Sequence, residues 1–146
     1  MKSEFHKKTW GSEEWLVNLP QYCGKILTVE KNKFCSLHGH KLKDETFYIL
    51  SGSVKFEYVQ GKWENGTIVK DGEVQTITLN KGESFHVSCL LLHRFTGIYD
   101  INQIIEISTQ HFEEDSYRVE PSITAEQAQR VDYCEEYSSH SHDFGG

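Results

Sequence analysis

Residues 36–58 read SLHGHKLKDETFYILSGSVKFEY. Two histidines stand one residue apart, a lone glutamate follows at position 45, and a glycine closes the next apolar run at position 52. Successive side chains of an extended strand point to opposite faces, so His38 and His40 share a face, and Glu45 shares one with Phe47 and Ile49. A carboxylate on an apolar inner face costs several kcal/mol unless it is paired or bound to a cation. Imidazole and carboxylate together suit a borderline divalent transition metal, Zn, Fe, Mn or Ni. The best fourth ligand is His93 in LLLHRF, residues 90–95, which follows an apolar run and shares its face with Phe95.

Strand signals surround this stretch. KILTVEK (25–31) and KFCSLHGH (33–40) flank Asn32, a residue that tolerates the left-handed turn conformation. ETFYIL and VKFEYV flank SGS, which reads as a hairpin. QGKWENGTIVKDGE (60–73) reads as a longer polar hairpin with turns at NG and DG. VQTITLN, ESFHVS, LLHRFTG and NQIIEIST follow as further short strands. Many short strands with no alternating helices predict an antiparallel sandwich or barrel. One helix is expected near the end: Thr124 and Gln127 form a capping-box pattern before AEQAQRV, which predicts a helix over about 125–136. The chain thus divides into a barrel with its lead-in over 1–120, a C-terminal helical segment over 121–137, and a flexible tail over 138–146.

H-x-H, four residues, Glu, six residues, Gly, and later Gly82 ending in His93 together resemble the two motifs of the cupin superfamily. Asn32 stands where the first motif has a glycine, and Ser88 and Leu90 stand where the second has proline and glycine. The resemblance implies an all-β fold: a small antiparallel double-stranded β-helix, jelly-roll-like barrel, with the metal bound by His38, His40, Glu45 and His93 in its mouth.

Three further stretches resemble cupin-type mannose-6-phosphate isomerases and the isomerase half of bifunctional mannose-1-phosphate guanylyltransferases. They are KTWGSEEWLVN, HRFTG (93–97) and IIEISTQHFEEDSYR (104–118). On that match Glu106 stands at the family's strand glutamate and is the expected catalytic proton shuttle. Glu114, Asp115 and Arg118 stand at its acidic-plus-arginine segment. Lys25, Arg94 and Arg118 are the basic residues available to hold substrate. They are sparse for a phosphate site, so a free sugar, as in cupin-type lyxose isomerases, is also admitted. The resemblance implies aldose–ketose isomerisation or epimerisation of a sugar or sugar phosphate, in carbohydrate metabolism. The same ligands would equally serve an Fe(II) dioxygenase, a small-molecule lyase, or a non-catalytic carbohydrate-binding or regulatory cupin.

Several residues carry competing readings. Glu106 lies among Ile104, Ile105 and Ile107, apolar on both faces, so its strand alone does not say which side looks inward, and it could instead pair with an arginine at the barrel rim. Trp10 and Trp15 suit core or dimer packing more than a sugar platform. Arg94 could fix the His93 strand. His86 falls off the His93 face and reads as a surface residue. His140 and His142 form a second H-x-H without a carboxylate in place.

Composition bounds the rest. The chain has 146 residues, 37% hydrophobic and 25% charged, with formal net charge −7. That suits one globular domain and excludes a basic nucleic-acid-binding stripe. No apolar run approaches the ~18 residues of a membrane span, and the first residues lack a secretory apolar segment. Four cysteines without a CxxC pair suit reduced thiols, so a cytoplasmic setting is expected. The expected partner is a small molecule, with neither nucleic acid nor membrane. Cys35, Leu37, Tyr48 and Leu50 are expected on an apolar outer face, which implies a homodimer.

Overall fold

Twelve strands are laid down in chain order among the described residues, and each inward face follows from alternation. They are β1 (Glu4–Lys8), β2 (Gly11–Asn18), β3 (Cys23–Glu30), β4 (Leu37–Gly39), β5 (Glu45–Ser51), β6 (Ser53–Glu64), β7 (Thr67–Lys70), β8 (Gln75–Asn80), β9 (Ser84–Val87), β10 (Leu91–Gly97), β11 (Ile101–Ser108) and β12 (Tyr117–Glu120). A 3-10 turn, Glu113–Asp115, precedes β12. The structure, a computed structural model, describes residues 2–132. The expected end of the C-terminal helix, the tail, and His140 and His142 lie outside the described residues.

The strands form two antiparallel sheets. One has the order β1-β2-β3-β11-β5-β9; the other has β12-β4-β10-β6-β7, with β8 also on β6. Their inner faces close into a barrel around Leu27, Val29, Phe47, Ile49, Val54, Phe56, Phe95 and Ile104. At one end Asn102 is fully buried and spends all its side-chain hydrogen-bonding capacity on backbone. Its Oδ1 accepts from Ser53 N (3.0 Å) and Tyr99 N (3.1 Å), and its Nδ2 donates to Val29 O (3.0 Å) and Tyr99 O (2.8 Å). This satisfies backbone groups where the chain passes between sheets. Trp10 is buried edge-on to Phe95, so it is a core residue.

Several local expectations hold. Asn32 has φ +61, and Asn65 and Gly66 have φ +51 and +79 in the turn of the β6–β7 hairpin. Thr124 and Gln127 exchange reciprocal hydrogen bonds of 3.0 and 3.1 Å, opening a helix that runs over 125–132 within the described residues.

Two expectations are corrected. SGS does not join a hairpin: β5 pairs with β11 and β9, whereas β6 pairs with β10, β7 and β8. Gly52, at φ +72, passes the chain from one sheet to the other, and a Cβ there would lie 2.4 Å from Asn102 Oδ1. Cys35 and Leu37 are not on an exposed outer face. Cys35 precedes β4, where alternation does not apply, and joins the inner core. Leu37 does lie opposite His38, but a second cluster with Val59, Ile68 and Leu92 buries it. Tyr48 and Leu50 remain outward and exposed.

Candidate metal centre and its cavity

Strand register brings the expected ligands together. His93 pairs with His38 across β10 and β4, so the two rings share the inner face. His40 lies just past β4, where Asp115 fixes the chain. Its Oδ1 accepts from Lys41 N (2.9 Å) and Leu42 N (3.0 Å), and its Oδ2 from Leu42 N (3.2 Å) and Lys43 N (3.0 Å). The same residue's carbonyl accepts from His40 Nδ1 at 2.9 Å.

The three rings are set up alike. His38 Nδ1 donates to Ser36 O (2.8 Å), His40 Nδ1 to Asp115 O, and His93 Nδ1 to Leu91 O (3.0 Å). A carbonyl can only accept, so each Nδ1 carries a proton and each Nε2 is the ring atom left to meet a ligand. The ligand atoms of the three histidines lie within 4.8 Å of one another. Burial, with the other two rings adding to it, holds His38 well below the usual histidine range. Burial likewise brings His40 down to about 4.

Glu45 faces this group. Its Oε1 lies 3.1 Å from His93 Nε2, and its Oε2 lies 3.7 Å from His40 Nε2. Both oxygens and His93 Nε2 are buried without a hydrogen-bond partner. A cation shared between them, or a proton on His93 Nε2, would satisfy these atoms. Burial opposes the Glu45 charge, yet His93 and Lys43 outweigh it and hold the carboxyl below the ordinary range. Protonated Nδ1 atoms bonded to carbonyls, converging Nε2 atoms and a buried carboxylate beside them fit a divalent transition metal. The three histidines form the group that could hold it, and Glu45 stands beside them.

The opposite wall carries a second row. Trp15, Lys25, Glu106 and Phe47 are direct cross-strand partners on β2, β3, β11 and β5. Cys23, Lys25, Leu27 and Val29 are the buried residues of β3, so Lys25 occupies a core-facing position. On β11 the buried set is Asn102, Ile104, Glu106 and Ser108. This settles that Glu106 looks inward. Its partner is a lysine rather than an arginine: Lys43 Nζ lies 2.9 Å from Glu106 Oε2, 3.2 Å from Glu45 Oε2 and 3.2 Å from His111 Nδ1. Burial works against the Lys43 ammonium, yet Glu106 and Glu45 hold it above the ordinary lysine value. Burial and the neighbouring Glu45 charge push Glu106 upward against Lys43. Burial, then Lys25 and Lys43, bring His111 down to about 3.

Between the walls lies a cavity of about 500 Å³, lined by His38, His40, Lys25, Lys43, Glu106 and Arg118 among others. The lining cations Lys7, Lys8, Lys25, Lys43 and Arg118 outnumber the carboxylates Glu13, Glu106 and Glu113. Arg118 is exposed at the mouth and pairs in register with His38. Arg94 is not brought to the cavity. It lies on the strand face opposite His93, where it donates to Cys35 O (3.0 Å) and Pro121 O (2.9 Å) and pairs with Glu120. Glu114 is exposed and lies beside a separate hollow with Leu42 and Trp63. His86 is a surface residue paired with Asp44.

Lys43 and His111 were not among the residues expected at the site. Lys43 lies in a loop where strand parity gives no direction. The available signal was its place two residues before Glu45. His111 lies past the end of β11 and carries no motif.

No family profile and no curated sequence matches the chain. Solved structures do. The capsular polysaccharide assembling protein CapF from Staphylococcus aureus superposes with TM-score 0.69 at 17% identity, over 82% of this chain and 32% of that one. Oxalate decarboxylase from Bacillus subtilis gives 0.66 at 14% identity, over 80% and 30%. KdgF from Halomonas sp. gives 0.60 at 12% identity, over 76% and 89%. The chain therefore spans about a third of the length of CapF and oxalate decarboxylase and most of KdgF. The nearly closed antiparallel barrel of this chain, with its histidine group inside, is the cupin fold.

Proposed function

We propose that the chain is a metal-dependent enzyme that interconverts the aldose and ketose forms, or the epimers, of a sugar derivative through an enediol. One observation carries this reading. Three histidines gather with the buried Glu45 carboxylate, two of them (His38 and His40) lining the cavity, and a second buried carboxylate with an upward-shifted pKa, Glu106, lines the same cavity. A divalent metal held by His38, His40, His93 and Glu45 would polarise a carbonyl and the hydroxyl beside it, acidifying the proton between them.

The chain's own residues supply the proton path. Glu106 takes the proton from the carbon bearing the hydroxyl and returns it to the neighbouring carbonyl carbon (isomerisation) or to the opposite face of the same carbon (epimerisation); in isomerisation the hydroxyl proton passes to the former carbonyl oxygen, so no oxidant and no co-substrate are needed. Lys43, donating to Glu106, keeps the carboxylate aimed into the cavity. The low-shifted His111 accepts from the same ammonium and limits its rotation. The fold likeness to enzymes such as oxalate decarboxylase supports an enzymatic role without selecting the reaction.

The test combines metal analysis with solvent-deuterium exchange. One divalent metal per chain is expected, lost in His40→Ala. Glu106→Gln should keep the metal and lower exchange into the carbon beside the carbonyl by about 10² to 10⁴. Its stability should fall by about 1.5–3 kcal/mol, the worth of one charged hydrogen bond. The larger cost of an unpaired buried charge is avoided because Glu45 still lies 3.2 Å from Lys43. Undiminished exchange in a folded, metal-loaded Glu106→Gln would remove Glu106 from the reaction. Substrate-dependent oxygen consumption would replace isomerisation with Fe(II) oxygenase chemistry.

A further inference from the structure

Lys25 is buried on an inner barrel wall, and nothing in the proposed proton path uses it. Its ammonium makes no hydrogen bond among the described residues. The nearest carboxylate oxygen, Glu13 Oε1, is 3.8 Å away, beyond hydrogen-bond reach. The face of Trp15 lies 4.2 Å from Nζ. Glu106, its cross-strand partner, accepts from Lys43 instead. The Lys25 side chain opens onto the cavity that His38 and His40 also line, where an oxygen acceptor would meet its N–H donors.

We propose that Lys25 anchors the carboxylate of an acidic sugar, whose hydroxylated end reaches toward the histidines. The charge balance supports an anion. The chain is acidic at −7, yet its cavity lining is net positive, and it stays positive when Glu45 beneath it is included. Neutral hydroxyls would leave that excess uncompensated. The geometry favours a singly charged group over a phosphate. A phosphate dianion is matched by clustered N–H donors or a guanidinium fork, whereas here one ammonium sits between Glu13 and Glu106, which would repel a second negative charge. The cavity, about 500 Å³, has the size of a small-molecule site. The choice of a sugar rests on the proposed isomerase reading; the anion site rests on Lys25 alone.

The experiment is a calorimetric titration of the full chain with glucuronate, galacturonate and gluconate. The matching neutral sugars and sugar phosphates are titrated in parallel, and metal content is measured on the same samples. At least one acid is expected to bind, with its neutral counterpart at least tenfold weaker. Lys25→Met keeps the aliphatic stem against Trp15 and should weaken the acid about ten- to a hundredfold. Glu13→Gln, which removes the competing carboxylate, should tighten it. Circular dichroism confirms that each variant is folded, and Lys25→Arg, which retains the charge, should keep part of the affinity. The proposal is overturned if no acid binds, if phosphates bind better than carboxylates, or if affinity survives Lys25→Met. The two readings fail separately: bound metal without acid binding defeats the Lys25 site, and Lys25-dependent acid binding without metal defeats the proposed metal chemistry.

Discussion

Replacing Asp115 with asparagine tests whether the metal centre is held from outside by its 3-10 turn. The carboxylate accepts four contacts from three consecutive backbone N–H groups, at 2.9 to 3.2 Å. Asparagine keeps one oxygen, enough for Lys41 and Leu42. Its amide nitrogen then faces the Lys43 N–H, donor against donor, in a buried place. An unpaired buried N–H costs about 1–3 kcal/mol, and the surviving bonds lose their charge assistance, so about 2–4 kcal/mol is expected in all. That is a large part of the ~5–15 kcal/mol typical of a domain. The loop spans His40 and Lys43, so metal affinity should also fall, by about ten- to a hundredfold, as for other supporting partners of metal ligands. Urea unfolding gives the first number and titration of cobalt into metal-free protein gives the second. A variant that keeps wild-type stability and affinity would refute the claim that Asp115 positions this loop.

Two further outcomes are expected. Leu90 has φ +71 where the resembled motif has glycine. Leu90→Gly should relieve about 1–2 kcal/mol of left-handed strain, while losing contacts with the Leu37 cluster and raising unfolded-chain entropy. Thermal unfolding should therefore shift by no more than the equivalent of about 1 kcal/mol; a larger loss would mean that the side chain, not the backbone, dominates there. Light scattering at micromolar protein should give a dimer mass, with Tyr48, Leu50, Ile101 and Ile107 forming an exposed apolar outer face; a monomer mass would reject it.

The sequence by itself determined the strand-rich class, the helix cap at Thr124, the left-handed Asn32 and the NG hairpin, because each depends on contacts or torsions within a few residues. Alternation showed that His38 and His40 share a face and that Glu45 and His93 each sit on an apolar one, and the motif spacing grouped the four; only strand register across β4 and β10 brought them together. Alternation was silent wherever it gave the same pattern on both faces or did not apply. In β11, isoleucines on both sides hid the direction of Glu106, and only pairing with β3 and β5 turned it inward. Lys43 and His111 sit in loops, so only closure of the barrel brought the ammonium between two carboxylates. Gly52 looked like a hairpin turn locally, but whether two strands pair depends on which other strands compete for their edges. Arg94 and Lys25 were equal candidates by charge; packing placed one on the outer face among carbonyls and the other, unbonded, against the cavity.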